Sequence, residues 1–258
     1  MARSKPEDVA GQIRWATFDG PGGPTAVNEF GIFAVDPEQK HRHAMRLALC
    51  GLPHEPDLVR FMCLRAGRGD VVQAGAYFGD FLPPLSRAVG PDGLVWSFEP
   101  NPRNFALAER TLALNALENV RLLPHALASE PAELSLAVEK DGKPLGGLSR
   151  VVESNPKGAL KTDAPTAPVT AVRLDDTIPP ERPVALIQLD IEGYERPALE
   201  GARGLIARHR PWIVVEMQPR TAKAMMAELF PDLPYRAVGR LYQNMIFACA
   251  AGPTGATV

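Results

Sequence analysis

The chain of 258 residues reads as an α/β protein: a mostly parallel sheet with helices on both faces. Three observations predict this class. Short apolar runs at residues 71–73, 94–98, 186–189 and 212–215 stop at polar or glycine-rich turns. Segments with helical apolar spacing separate them, at residues 81–89, 102–114 and 195–209. Strands alternating with helices specify parallel pairing, because each crossover carries a helix back over the sheet. The third observation is chemical. Gly75-Ala76-Tyr77-Phe78-Gly79 and Asp190-Ile191-Glu192-Gly193-Tyr194-Glu195 follow two of these runs, where open α/β sheets place their ligands.

Taken in order, residues 1–55 lack sustained strand alternation and read as an N-terminal extension packed on the core, with the main domain spanning 56–258. Asp36-Pro37 opens a helix running through Leu49, with Ala44, Leu47 and Ala48 on one face. Leu58, Phe61, Met62 and Leu64 mark a second, ended by Gly67 and Gly69. Pro83-Pro84 make the start of the 81–89 helix irregular. Asn101 caps the next helix, with Pro102 at its first position and Phe105, Ala108 and Leu112 inward. Residues 119–123 form a third strand and 135–138 a short further one. Residues 140–168, rich in Gly, Pro, Ser and Lys, form a long loop. Ala198, Ala202, Leu205 and Ile206 line one face of the 195–209 helix. Thr221 caps a helix over 222–229, and residues 245–250 make the last strand.

Composition narrows the function. Hydrophobic content of 45% and charged content of 22% are those of a globular domain with a sizeable core. A formal net charge of −2 without a basic block argues against nucleic acid as partner. Cys50, Cys63 and Cys249 form no CxxC pair and read as thiols in a reducing compartment. No stretch approaches the roughly 20 apolar residues of a membrane span, and residues 1–8 are charged. The expectation is a cytoplasmic protein acting on a small molecule; an oligomer stays open.

The glycine turn fails the dinucleotide pattern G-x-G-x-x-G at Tyr77, which weakens a nicotinamide reading. It still lets a backbone approach a ligand closely. Glu99, at the end of the second main strand, suits the two hydroxyls of a ribose. Three carboxylates in the 190–195 turn repel one another and resist burial, which points to function.

On Gln73-Ala74-Gly75-Ala76-Tyr77-Phe78-Gly79, Phe98-Glu99-Pro100, Asn115 with Asn119-Val120, Ala126-Leu127-Ala128, Leu174-Asp175-Asp176, residues 189–195 and residues 211–216, the chain resembles the FkbM family of S-adenosylmethionine-dependent methyltransferases. The resemblance implies the class I methyltransferase Rossmann-like fold, a seven-stranded sheet whose last strand is antiparallel. It implies that Gln73, Ala74, Gly75, Ala76 and Gly79 hold the methionine part of S-adenosylmethionine, that Glu99 holds the ribose, and that Pro100, Asn101, Ala126 and Leu127 flank the adenine. His125 lies beside them. The family usually has Asp at Gln73, Asn at Tyr77 and Lys at Gln188; Asp80 is the nearest replacement for the first charge.

Methyl transfer to a hydroxyl needs in-line placement and a base. Asp190 is the expected base or orienting group, next to the cofactor, with Glu192 as a second catalytic candidate. Glu195 belongs to the helix start. Asp190 and Glu216 could share a divalent cation such as magnesium. The expected activity is O-methylation of a hydroxylated sugar or natural-product acceptor. The alternative is a cofactor-binding module of the same fold with impaired catalysis. Residues 141–168, with Gly146, Gly147 and Ser149, read as a lid or acceptor-selecting segment, or equally as a disordered insertion.

Overall fold

A computed structural model describes residues 17–20, 22–67, 69–152 and 165–250. Against the expectation of no strands before residue 55, β1 (Thr17–Gly20), β2 (Gly23–Asn28) and β3 (Gly31–Ala34) form an antiparallel meander. Each strand is too brief for its alternation to stand out. The helix expected over 36–49 is broken. Asp36 caps a 3-10 turn at Pro37–Gln39, and α1 (His43–Leu49) starts afresh after Arg42 adopts an extended backbone. The side chains of His41 and Arg42 both reach the carbonyl of Pro144.

The central sheet and its helices follow. α2 (Pro56–Ala66) buries Leu58, Val59, Met62 and Ala66. β4 (Asp70–Ala74) is buried along its length. α3 (Leu82–Ala88) accepts Pro83 and Pro84 because N–H groups in a first turn need no helical partner. β5 (Val95–Phe98) leads into α4 (Pro102–Leu114), where Asn101 accepts from the N–H of Arg103, as a cap should. The fully buried positions of α4 are Asn104, Ala108 and Thr111, with Phe105 and Leu112 only half-buried. β6 (Val120–Leu123) completes this half.

The ends of the expected 140–168 loop are structured. β7 (Ala126–Leu127), β8 (Ala132–Ala137), β11 (Arg150–Val152) and β12 (Thr166–Val172) make a second sheet in the order β11-β8-β12-β7. Between β8 and β11 lies a small hairpin of β9 (Glu139–Lys140) and β10 (Lys143–Pro144). Residues 153–164 of the expected lid, and the charged residues 1–8, lie outside the described residues.

α5 (Leu174–Thr177) precedes β13 (Val184–Leu189), again wholly buried. The helix expected over 195–209 is two: α6 (Glu195–Glu200) and α7 (Arg203–His209). Gly201 sits so close to the second sheet that a Cβ there would lie 2.1 Å from the carbonyl oxygen of Ala128. The carboxylate of Asp175 accepts from the N–H groups of Gly204 and Leu205, restarting the chain as α7. β14 (Trp212–Glu216) precedes α8 (Pro219–Leu229), which begins with Pro219 in its first turn rather than with Thr221 as cap. β15 (Tyr235–Leu241) escaped sequence reading because it is exposed along most of its length. β16 (Asn244–Cys249) is the last strand.

The seven-stranded order is β15-β16-β14-β13-β4-β5-β6, parallel except for β16, which runs antiparallel to both of its neighbours. This is the expected class I methyltransferase arrangement. One face buries Leu199, Ile206 and Met226 of α6, α7 and α8; the other buries Leu58, Met62 and Leu85 of α2 and α3. Chain order reverses between β4 and β13, so a crevice opens at their carboxyl ends. At the opposite end, buried Asp70 accepts from Arg182 twice, from Trp96 and from the N–H of Leu94.

Candidate functional site

The crevice begins with the glycine turn after β4. Gly75 has φ +89°, and a Cβ there would stand 2.0 Å from the carbonyl oxygen of Asp190. Any side chain would force the ends of β4 and β13 apart. The N–H groups of Gly75 and Ala76 both donate to the carbonyl of Phe98, and that of Asp190 to Ala74. The three strand ends are thus tied into one floor. Tyr77 follows at φ 52°, Glu192 lies at φ 55° and Glu55, before α2, at φ 44°. Strained non-glycine backbone of this kind collects at ligand sites.

Glu99 is 4% exposed. One of its carboxylate oxygens accepts from the N–H of Tyr77 at 2.7 Å. The other accepts from the N–H of Asn101 at 2.9 Å and from the amide of Asn104 at 3.4 Å. Burial pushes its pKa up to about 7 against these donors. A carboxylate has about four acceptor positions, so Glu99 retains capacity toward the cleft it lines.

A roof covers this floor. The carbonyl of Gly146 accepts from Asn104 and from Ser149, and Ser149 in turn accepts from Asn101 at 2.7 Å. The hydroxyl of Tyr77 donates to Gln39 at 2.7 Å, directly beneath Gly146, where a Cβ would meet both. Phe98, Ala126, Leu127, Leu136, Val151 and Ile191 give the cleft apolar walls. Two polar atoms on its lining, Nδ1 of His125 and Oδ1 of Asn104, are buried with no hydrogen-bond partner among the described residues. Apolar walls with a few unsatisfied polar groups fit a nucleoside, and Glu99 beside them fits its ribose.

Of the expected cofactor residues, Ala74, Gly75, Glu99, Pro100, Ala126, Leu127 and Asp190 line the cleft. Gln73, Ala76, Gly79 and Asn101 do not; they stand behind it. The amide of Gln73 donates to the carbonyl of Gly75 and accepts from the hydroxyl of Ser97, which makes it a strut between strands. Gly79, at φ +82°, lies against Leu82 and Thr111. Asp80 pairs with His54 at 3.6 Å. Sequence reading missed Asn104 and the apolar roof residues Leu136 and Val151. The signal for Asn104 was a polar residue in helical register with buried Ala108.

Beyond the cleft lies an acidic end. The carboxyls of Asp190 and Glu216 are hydrogen-bonded to each other. Burial first, then this bond and the charges of Glu216, Glu192 and Glu55, raise the pKa of Asp190 well above its ordinary value. Glu192 is pushed up to about 7 by burial, Glu216 and Glu195, against Arg150 and Arg42. Glu55 reaches about 7 through burial, opposed by His54 and reinforced by Glu216 and Asp80. Burial opposes the charged form of His54, yet the bond to Asp80 and the nearby carboxylates raise its pKa overall. Glu195 is 2% exposed and accepts from the N–H groups of Ile191 and Gly193. It therefore braces the turn before α6. Among the described residues no group of three or more His, Cys, Asp or Glu side chains is arranged to hold a metal ion. No helix among the described residues is long and apolar enough to cross a membrane.

Residues 73–237 match the family described as "Methyltransferase FkbM domain". A curated relative, the catalytic subunit TRM61 of a tRNA (adenine(58)-N(1))-methyltransferase from Cryptococcus neoformans, is 32% identical over 103 residues, 35% of this chain and 24% of that protein. The chain thus spans about a quarter of the curated relative it matches. Among solved structures, methyltransferase FkbM from Methylobacillus flagellatus KT is 16% identical with a TM-score of 0.48, covering 83% of this chain and 55% of that one. A SAM-dependent methyltransferase from Aquifex aeolicus is 12% identical with a TM-score of 0.45, covering 82% and 95%.

Proposed function

Because this chain belongs to the FkbM family of S-adenosylmethionine-dependent methyltransferases, we propose that it methylates a hydroxyl on a sugar or natural-product scaffold. The observation that carries this reading is the buried Asp190 carboxyl on the cleft lining, at the end of β13 with Glu216 beside it. A hydroxyl must lose its proton as its oxygen attacks, and a buried carboxylate with a raised pKa is a competent acceptor near neutral pH. The formal net charge of −2 favours a small acceptor over a polyanion.

When bound, S-adenosylmethionine supplies an electrophilic methyl on a cationic sulfur. Glu99 holds the ribose hydroxyls, in competition with the N–H groups of Tyr77 and Asn101. His125 and Asn104 offer their unpartnered atoms to the base, between the walls of Leu127, Leu136 and Val151. The close approach of Gly75 to Asp190 sets cofactor and base on adjacent strand ends. Asp190 would take the proton of the acceptor hydroxyl as its oxygen receives the methyl. Glu216 tunes it, and Glu192 orients the acceptor. We read residues 1–55 as an extension that completes the roof through Gln39 and Arg42, and 56–258 as the methyltransferase domain.

Calorimetry with S-adenosylhomocysteine and a methyl-transfer assay over hydroxylated acceptors test the reading together. Wild-type protein binds; Glu99→Ala weakens binding by about tenfold or more, the scale of a lost charge-assisted hydrogen bond; Asp190→Ala binds but does not turn over. Turnover retained in Asp190→Ala would remove the base assignment. Binding with no turnover on any hydroxylated acceptor would favour a cofactor-binding module.

A further inference from the structure

Asp190, Glu216, Asn244 and Glu55 are linked in space. Asp190 bonds to Glu216. Glu216 lies directly opposite Asn244 in the antiparallel pairing of β14 with β16, so both side chains share one face of the sheet. Asn244 donates its amide N–H to Glu55 at 2.9 Å. That bond turns the other amide atom of Asn244, Oδ1, away from Glu55, and it has no hydrogen-bond partner among the described residues although Asn244 is 1% exposed. Gln188, also 1% exposed, lies two residues before Asp190 and so shares its face of β13; its Oε1 is equally unpartnered.

Every unsatisfied position here is an acceptor. A buried acceptor left unmatched carries a desolvation cost, so the group that completes this end must be a donor. Of the nearby cations, His54 pairs with Asp80, and Arg42 donates to the carbonyl of Pro144. Arg42 and Arg150 both act on Glu192 at the outer edge. Resting on the methyl-transfer reading above, we propose that Glu55, Asn244 and Glu216 form a subsite for a protonated amine on the acceptor, which makes the preferred acceptor a hydroxylated amine such as an amino sugar. An ammonium group offers three donors and one positive charge, matching the unpartnered amide oxygen of Asn244 and the carboxylates of Glu55 and Glu216. Asp190, at the cleft edge of the same group, then faces the neighbouring hydroxyl.

The test compares glucosamine with glucose as ligands of the full chain saturated with S-adenosylhomocysteine, by calorimetry. Glucosamine binds about tenfold or more tightly, and Glu55→Gln, which keeps an acceptor for Asn244, abolishes the preference while S-adenosylhomocysteine binds as before. The preference also shrinks as pH falls from about 7.5 to about 5.5, as Glu55 and Glu192 protonate against the opposing charges of His54, Arg42 and Arg150. Equal affinity for the two sugars, absence of glucosamine binding, or a preference untouched in folded Glu55→Gln overturns the subsite and leaves the methyltransferase reading standing. If the variant does not fold, the wild-type comparison decides alone. Failure to bind S-adenosylhomocysteine overturns both.

Discussion

A protonated carboxyl cannot act as a base until it has lost its proton. On the proposed base role this sets the direction of the pH dependence: burial and the neighbouring Glu216 hold the Asp190 carboxyl above its ordinary value, so turnover rises with pH as Asp190 loses its proton. Glu216→Gln removes the like charge and lowers the pKa of Asp190, so the acidic limb of kcat/KM moves to lower pH, by about one unit or more; an unmoved limb would separate the pair from the chemistry. Asp190 was legible in the sequence because strand ends are where such sheets place their chemistry, and Glu216 because it closes the neighbouring strand. Glu99 was legible from its distance to the glycine turn. Glu55 was not. Its neighbour Asn244 lies 189 positions away in the chain, and only the packing of the start of α2 beside β16 joins them. Asn101 and Gly79 were read as cofactor contacts; neither lines the cleft, Asn101 holding Ser149 of its roof and Gly79 lying against Leu82 and Thr111.

At the level of elements, the turn after β4 is held by a contact that only glycine permits. Gly75→Ala combines an unfavourable φ with an overlap against the backbone of Asp190, so it destabilises by about 3 kcal/mol or more, read as a lower midpoint in urea denaturation. A change under about 1 kcal/mol would mean that β4 and β13 can part without consequence. The buried strands β4, β5, β13 and β14 announced themselves as apolar runs, and α4 by its Asn-Pro start. β15 could not, because an exposed edge strand needs no apolar alternation. The meander of β1 to β3 could not either, because its strands are four to six residues long. At the break between α6 and α7, Gly201 lies against the carbonyl of Ala128 and Asp175 caps the restart, contacts from distant residues that leave no trace in local periodicity.

The whole molecule carries its acids as a stored load of protons. Glu55, Glu99 and Glu192 each rise from 4.5 to about 7 on folding. Between those values the native state holds protons that the unfolded chain has released, so stability is greatest at the acidic end of the window and is lost as pH rises through about 7. The urea midpoint should be higher at pH 5.5 than at pH 8, with a slope on the order of 1 kcal/mol per pH unit near neutrality; a midpoint that rises with pH would contradict the burial of these groups. The contact of Tyr77 with Gln39 beneath Gly146 has a consequence for building chimeras. The family match begins at residue 73, while Gln39 and Arg42 lie well before it. Grafting residues 73–237 into another member of the family would transplant the floor of the cleft and its roof around Gly146, Ser149 and Val151, and leave the Gln39 and Arg42 side chains that brace that roof to be supplied by the recipient. Exchanges meant to move specificity between members therefore have their natural seam before residue 39, not at the edge of the homology.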